Sequence, residues 1–184
     1  ALQDINVMAF LNEFDLIFSN AALHWVKDHE RLLLNCYKAL KPGGIVRFNF
    51  AGDGNCSNFY EVVREIMDYA IYSEYFTDFV WPWYMPRIKD YEELVNRHEF
   101  KESRCWEENA DRNFETKDHM VKWIDQPSIV PFLKYLPTEK QSGFRDEVVR
   151  KMVDKTIQTD GTFFETFRRI NVFAKKSNAT TDNF

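Results

Sequence analysis

Four groups of side chains have the types and spacing to do chemistry. His24-Trp25 follows a short apolar run, Phe14 and Leu16–Phe18, that stops at Ser19-Asn20-Ala21. Trp81, Trp83, Tyr84 and Arg87 lie in or beside a stretch broken by Pro82 and Pro86. Aromatic rings with one guanidinium suit an anion with an apolar body, the arginine gripping a carboxylate through two hydrogen bonds. The same rings would equally serve to pack a lid on a core. Arg168-Arg169 interrupts an apolar run near the end of the chain. Neighbours in a strand point to opposite faces, so one of the pair, assigned as Arg168, faces a pocket while the other meets solvent. Near the start stands an acidic-apolar pair, Asp4-Ile5. His24, His29 and Asp28 match no common zinc spacing, so no metal is expected. No nucleophile–base pair stands out, and Cys36 sits on an apolar helix face as packing.

These groups need elements to hold them, and residues 14–50 supply the main ones. Phe14–Phe18 reads as a buried strand ending in a loop. Asp28 is placed to cap a helix, with Glu30 in its favourable first turn. Leu32, Leu33, Cys36, Tyr37 and Leu40 recur at three and four residues, giving that helix one apolar face. Lys41-Pro42-Gly43-Gly44 ends it, and Ile45–Phe50 reads as a second strand. Strand, helix and strand make a βαβ unit, and such units take ligands at the carboxyl ends of their strands. Here those ends are 19–25 and 51–54.

The same residues carry a family resemblance. Phe14-Asp15-Leu16-Ile17-Phe18-Ser19-Asn20-Ala21-Ala22-Leu23-His24-Trp25-Val26 resembles the fourth strand and following loop of class I S-adenosylmethionine-dependent methyltransferases. Within that class it is most similar to the trans-aconitate and juvenile hormone acid methyltransferase group. Leu40-Lys41-Pro42-Gly43-Gly44 is similar to the turn into the fifth strand, and Asp160-Gly161-Thr162 with Phe167-Arg168-Arg169-Ile170 to the last strand. The resemblance implies an α/β fold, the C-terminal part of a Rossmann-like sheet (strands 4–7) with a helical cap. It implies S-adenosylmethionine as cofactor, with Asp4 holding the adenine amino group, Ile5 packing on the ring, and Asn20 and Ala21 near the methionine moiety. It implies a small-molecule acceptor met by His24, Trp25, Trp83, Tyr84, Arg87 and Arg168, and O-methylation of a carboxylic acid as the reaction. None of the six glycines forms G-x-G-x-x-G. The resemblance begins just before the fourth strand, so roughly 70 residues, at about 30 per βαβ unit, are expected to be absent, and this chain is expected to be inactive alone. An alternative is a non-catalytic interaction remnant or one half of a split enzyme.

Composition bounds the rest. The 184 residues, 45% hydrophobic and 29% charged, suit one globular domain. Net charge −5 argues against nucleic acid, and no run is long enough to span a membrane. Three cysteines with no C-x-x-C pair point to a reducing, cytoplasmic setting. The expected core is 1–75, 90–111 and 159–176. The expected cap is 76–90 and 112–158, with 177–184 a tail. Within the core, Ser57 is expected to cap a helix reaching Phe76, and 162–174 to form one strand. Thr138-Glu139-Lys140-Gln141 reads as a capping box. The first strand, Phe14–Ser19, has no Lys, Pro or Gly to blunt an open edge, so pairing across a homodimer or strand exchange is expected there, the alternative being that residues 1–9 fold back over it.

Overall fold

The computed structural model describes Ile5 and residues 7–178; Asp4 lies outside the described residues. In chain order the elements are β1 (Phe14–Asn20), α1 (His29–Ala39), β2 (Leu40–Ala51), α2 (Ser57–Met67), α3 (Ile88–Asn96), β3 (Phe100–Asn109), β4 (Arg112–Phe114), α4 (Lys117–Trp123), α5 (Val130–Leu133), α6 (Thr138–Thr156), β5 (Phe163–Glu165) and β6 (Arg168–Lys176). They fall into two compact units. One holds the described residues up to Asp53 together with 83–108 and those from Arg168 on; the other holds 54–82 and 109–167.

The first unit is a mixed α/β sheet in the order β1-β2-β6-β3. Asp28 caps α1, accepting the Arg31 N–H at 2.9 Å, and α1 returns the chain so that β2 runs parallel to β1. β2 starts at Leu40 and contains the Lys-Pro-Gly-Gly turn instead of following it. Phe14 pairs with Leu40 and Leu16 with Ile45, an irregularity that absorbs the turn. Gly43 sits at φ +77, a conformation glycine takes freely, and its N–H reaches Ser177 O. β6 is antiparallel to β2, with Ile45 opposite Lys175 and Ala51 opposite Arg169.

Strand alternation divides this sheet sharply. Val46, Phe48 and Phe50 of β2 and Ile170, Val172 and Ala174 of β6 are buried with Leu32, Leu33 and Cys36 of α1 and Tyr91, Leu94 and Val95 of α3. Fully burying a side chain such as Phe48 contributes about 1.5–3 kcal/mol. The opposite face holds polar partners: Asn171 Oδ1 accepts from Arg47 and Asn49 at 3.0 Å each, and Asn171 Nδ2 donates to Glu108 at 3.0 Å. β1 is not buried on both faces as its sequence suggested. Leu16 is 52% and Phe18 65% exposed, because β1 is the edge strand and among the described residues only β2 pairs with it.

In the second unit α2 packs on α6, and a two-stranded β4–β5 ladder joins Phe114 to Phe163. The first boundary between the units falls at Asp53/Gly54, and α2 buries its apolar face within the second unit. Helix α2 also ends nine residues short of Phe76. The Tyr72 N–H bonds Tyr69 O, and its ring meets Phe144 edge-on at 5.2 Å, which takes the chain off the helical path into a 3₁₀ turn at Ser73–Phe76. Ser57 does not cap α2. Cys56 stands at the N-cap in a left-handed conformation, and the first N–H groups go to Thr166 and Glu165. This also explains why 162–174 is not one strand: β5 ends where Glu165 and Thr166 turn to α2. The capping box fails as well. Gln141 Nε2 donates to Leu133 O and Leu136 O, so α6 starts after Pro137 without a side-chain cap.

Candidate acceptor site at the strand ends

The carboxyl ends of β1 and β2 are shaped by backbone hydrogen bonds. Ala21 is left-handed (φ 54), and its N–H donates to Asn49 O at 2.7 Å, turning the chain off β1 and leaving Asn20 exposed. A 3₁₀ turn over Leu23–Trp25 follows, closed by the Val26 N–H on Leu23 O at 2.8 Å. Past β2, Gly52 N–H donates to Arg168 O and Asp53 N–H to Pro86 O, both at 3.0 Å. A Cβ on Gly52 would lie 2.8 Å from Ile170 Cγ1, so the close crossing of β6 requires glycine.

The Trp83–Arg87 segment is tied to both loops. Tyr84 N–H donates to His24 O at 2.8 Å, and Lys27 Nζ donates to Trp83 O at 3.0 Å. The prolines that forbid regular structure here leave backbone groups available for these joints. Trp25, 43% exposed, meets Trp83 edge-on at 5.5 Å, and His24 lies 5.7 Å from Trp25. Arg87 stands in solvent with Nε 3.8 Å from an Asp53 carboxylate oxygen, an exposed pair worth at most about 1 kcal/mol.

His24 is the electrostatic centre. Its Nδ1 is out of water and has no hydrogen-bond partner among the described residues. Its pKa is pushed down to about 4, first by burial, then by the charge of Arg169 and by His29. The imidazole is thus neutral at pH 7, beside a cation and with one ring nitrogen unspent. A buried polar atom left in this state costs free energy until a ligand group meets it.

The assigned residues do not all come together. His24, Trp25, Trp83 and Arg87 gather at the strand ends with Asn20 and Ala21. Tyr84 turns inward, its ring 4.6 Å from that of His29, and burial raises its phenol pKa. The arginine acting on His24 is Arg169, not Arg168: Ile170, Val172 and Ala174 fix the buried face of β6, which puts Arg168 on their side and Arg169 on the other. Applying that alternation to the sequence would have chosen Arg169. Trp81 packs in the second unit, stacked on Tyr60 at 4.8 Å with Arg64 over it. Ile5 packs against the first unit's core, and its carbonyl accepts from Asn35 Nδ2 at 2.8 Å. Asp53 lies in the 51–54 end read from the sequence but was given no role there, and His29, which follows the capping Asp28, was weighed only as a metal ligand.

Comparison with known proteins places this geometry. Residues 2–48 match the family model described as "Methyltransferase domain". A trans-aconitate 2-methyltransferase of Mycolicibacterium gilvum is 27% identical, the match covering 95% of this chain and 69% of that protein. A malonyl-[acyl-carrier protein] O-methyltransferase of Calditerrivibrio nitroreducens is 36% identical over 39% of this chain and 29% of its own length. Among solved structures, a loganic acid methyltransferase with SAH superposes at TM-score 0.69, with 10% identity, covering 97% of this chain and 66% of that one. A methyltransferase structure from Bacillus halodurans gives 0.52, with 17% identity and coverage of 96% and 70%. In sequence and fold the chain is similar to the class I S-adenosylmethionine-dependent methyltransferases. It spans from under a third to about two-thirds of the length of these curated relatives. These likenesses support S-adenosylmethionine as cofactor, and the exposed Asn20 side chain and the left-handed turn at Ala21 stand at the carboxyl end of β1. The Ala21 N–H itself is spent on Asn49 O. Among the described residues no helix is long and apolar enough to cross a membrane, and no cluster of three or more His, Cys, Asp or Glu could hold a metal ion.

Proposed function

We propose that this chain supplies the acceptor side of a methyl transfer to an oxygen of a small carboxylic acid. The observation that carries the reading is His24, neutral, with a buried unpartnered Nδ1 in the field of Arg169. A carboxylate meets this demand, taking a hydrogen bond from the imidazole in a region of positive potential. Trp25 and Trp83 offer an apolar wall, and Arg87 is a second cation at the rim. The names of the curated relatives, which carry trans-aconitate and malonyl groups, agree with an acidic acceptor.

S-adenosylmethionine, when bound, supplies an electrophilic methyl group. A carboxylate is already ionised at pH 7, so the protein has no proton to remove. Its residues align the acceptor, exclude water and pair its charge. Asn20 is placed on the cofactor side of that alignment. No glycine-rich phosphate-type loop occurs in the sequence, so the 184-residue chain by itself binds S-adenosylmethionine weakly and is inactive until a glycine-rich βαβ segment completes the site. The setting is cytoplasmic.

A second reading, that the chain works through a protein partner, is favoured by one observation: among the described residues one edge of β1 has no partner strand, and Leu16 and Phe18 are exposed on one face. Self-pairing across this edge gives a homodimer.

The test of the acceptor site is a titration at pH 7 followed by NMR. Succinate shifts the side-chain resonances of His24 and Trp25, and uncharged succinamide does not. Resonances unmoved by millimolar succinate would overturn the reading.

A further inference from the structure

We propose that His29 is the positioning residue of this site: it fixes the Leu23 carbonyl and so sets the direction in which His24 and Trp25 leave the sheet. The role builds on the acceptor reading above.

His29 is the first residue of α1 and is 2% exposed. Both ring nitrogens are engaged. Nε2 lies 3.0 Å from Leu23 O, and Nδ1 lies 2.9 Å from the Tyr91 hydroxyl. A carbonyl only accepts, so Nε2 carries the hydrogen, Nδ1 keeps its lone pair, and Tyr91 donates to it. The ring is packed by Phe50 of β2, Tyr84 and Tyr91 of α3. Burial holds its pKa at about 4, which keeps this tautomer in place at neutral pH.

The consequence falls on the turn. Leu23 O receives two donors, Val26 N–H and His29 Nε2–H, which satisfies both of its lone pairs. The next carbonyl, that of His24, receives Tyr84 N–H. Two successive carbonyls are thus pinned, and the His24 side chain projects from between them. Any buried histidine needs partners for its ring nitrogens; what matters is where these two lie. Here each nitrogen joins a different element, α1 to the turn and α1 to α3, and Tyr84 presses on the ring while its own N–H holds His24.

The test uses the isotope-labelled 184-residue chain, with His29→Phe, His29→Gln and Tyr91→Phe. Phe keeps the ring without either nitrogen, and Gln restores an amide donor toward Leu23 O. In His29→Phe the His24 and Trp25 side-chain resonances shift and Val26 amide exchange rises at least tenfold, while the amides of β2 and β6 stay protected. His29→Gln returns the turn most of the way, and Tyr91→Phe leaves Val26 protected. In the wild-type chain, long-range nitrogen–proton spectra show hydrogen on Nε2 of His29 from pH 8 to pH 5. A folded His29→Phe with unchanged His24 and Trp25 signals would overturn the proposal. So would the Nδ1–H tautomer in the wild type, a measurement that stands even if His29→Phe does not fold. No methyl donor enters these experiments, so loss of the acceptor reading and loss of this one are told apart.

Discussion

Phe59 donates its backbone N–H to the Glu165 carboxylate at 2.9 Å, across 106 residues of sequence. The same carboxylate accepts from Thr166 N at 2.7 Å and Asn58 N at 3.2 Å, and Thr166 Oγ1 accepts from Ser57 N at 2.9 Å. The start of α2 is therefore capped from the far end of the chain, by a residue with no solvent exposure. Helix N-termini favour negative charge and need acceptors for their first N–H groups.

Glu165→Ala leaves those buried donors unpaired. The expected loss is about 1–3 kcal/mol in urea unfolding, the cost of an orphaned buried donor and above a typical N-cap loss. Amide exchange at 57–59 should rise first. Glu165→Gln should lose less, since one oxygen remains to accept.

Stability should depend on pH through two histidines. His24 and His29 have folded pKa values pushed down to about 4, from 6.5 in the unfolded chain, chiefly by burial. Between these values the unfolded chain binds more protons, so the contribution is complete above pH 6.5 and is lost as pH falls toward 4. The slope is about 1.4 kcal/mol per pH unit for each histidine. Glu165 works in the opposite sense, because burial raises its pKa despite its hydrogen bonds. Unfolding of wild type and His24→Asn from pH 7 to 4.5 isolates one histidine; equal slopes in the two would contradict the assignment.

What the sequence made legible follows from local chemistry. The β1–α1–β2 unit rests on a capping aspartate and on three-and-four spacing, both visible in a window of a few residues. The Asp28 cap forms as its residue type implies. The misreadings involve distant partners. Ser57 looked like a cap because Glu165 cannot be seen beside it in sequence, and Gln141 looked like half of a capping box because its acceptors precede the helix. At the site, the inward turn of Tyr84 onto His29 is decided by packing between distant elements, whereas the alternation around Arg168 and Arg169 was open to reading from Ile170, Val172 and Ala174.

The exposed edge of β1 gives a further expectation. Leu16→Lys with Phe18→Lys should abolish any self-association seen by sedimentation, and change stability by about 0.5 kcal/mol or less per site, as for other surface positions. Association that survives the double change would move the interface elsewhere.

The Arg87 side chain forms an exposed pair with Asp53. Arg87→Ala should leave stability within about 0.5 kcal/mol and weaken carboxylate binding by 3- to 10-fold, with little effect on S-adenosylmethionine. Equal weakening of both ligands, or of neither, would place Arg87 outside the acceptor site.

The most direct test of the account is methyl transfer itself. The glycine-rich βαβ segment of a trans-aconitate 2-methyltransferase is fused ahead of residue 1, and methyl-labelled S-adenosylmethionine is supplied with a panel of small carboxylic acids. The account predicts base-labile methyl ester from the fusion, strongly reduced in His24→Ala, and none from the 184-residue chain alone. A folded fusion that binds S-adenosylmethionine yet esterifies no acid, or an unfused chain that transfers methyl by itself, would contradict it.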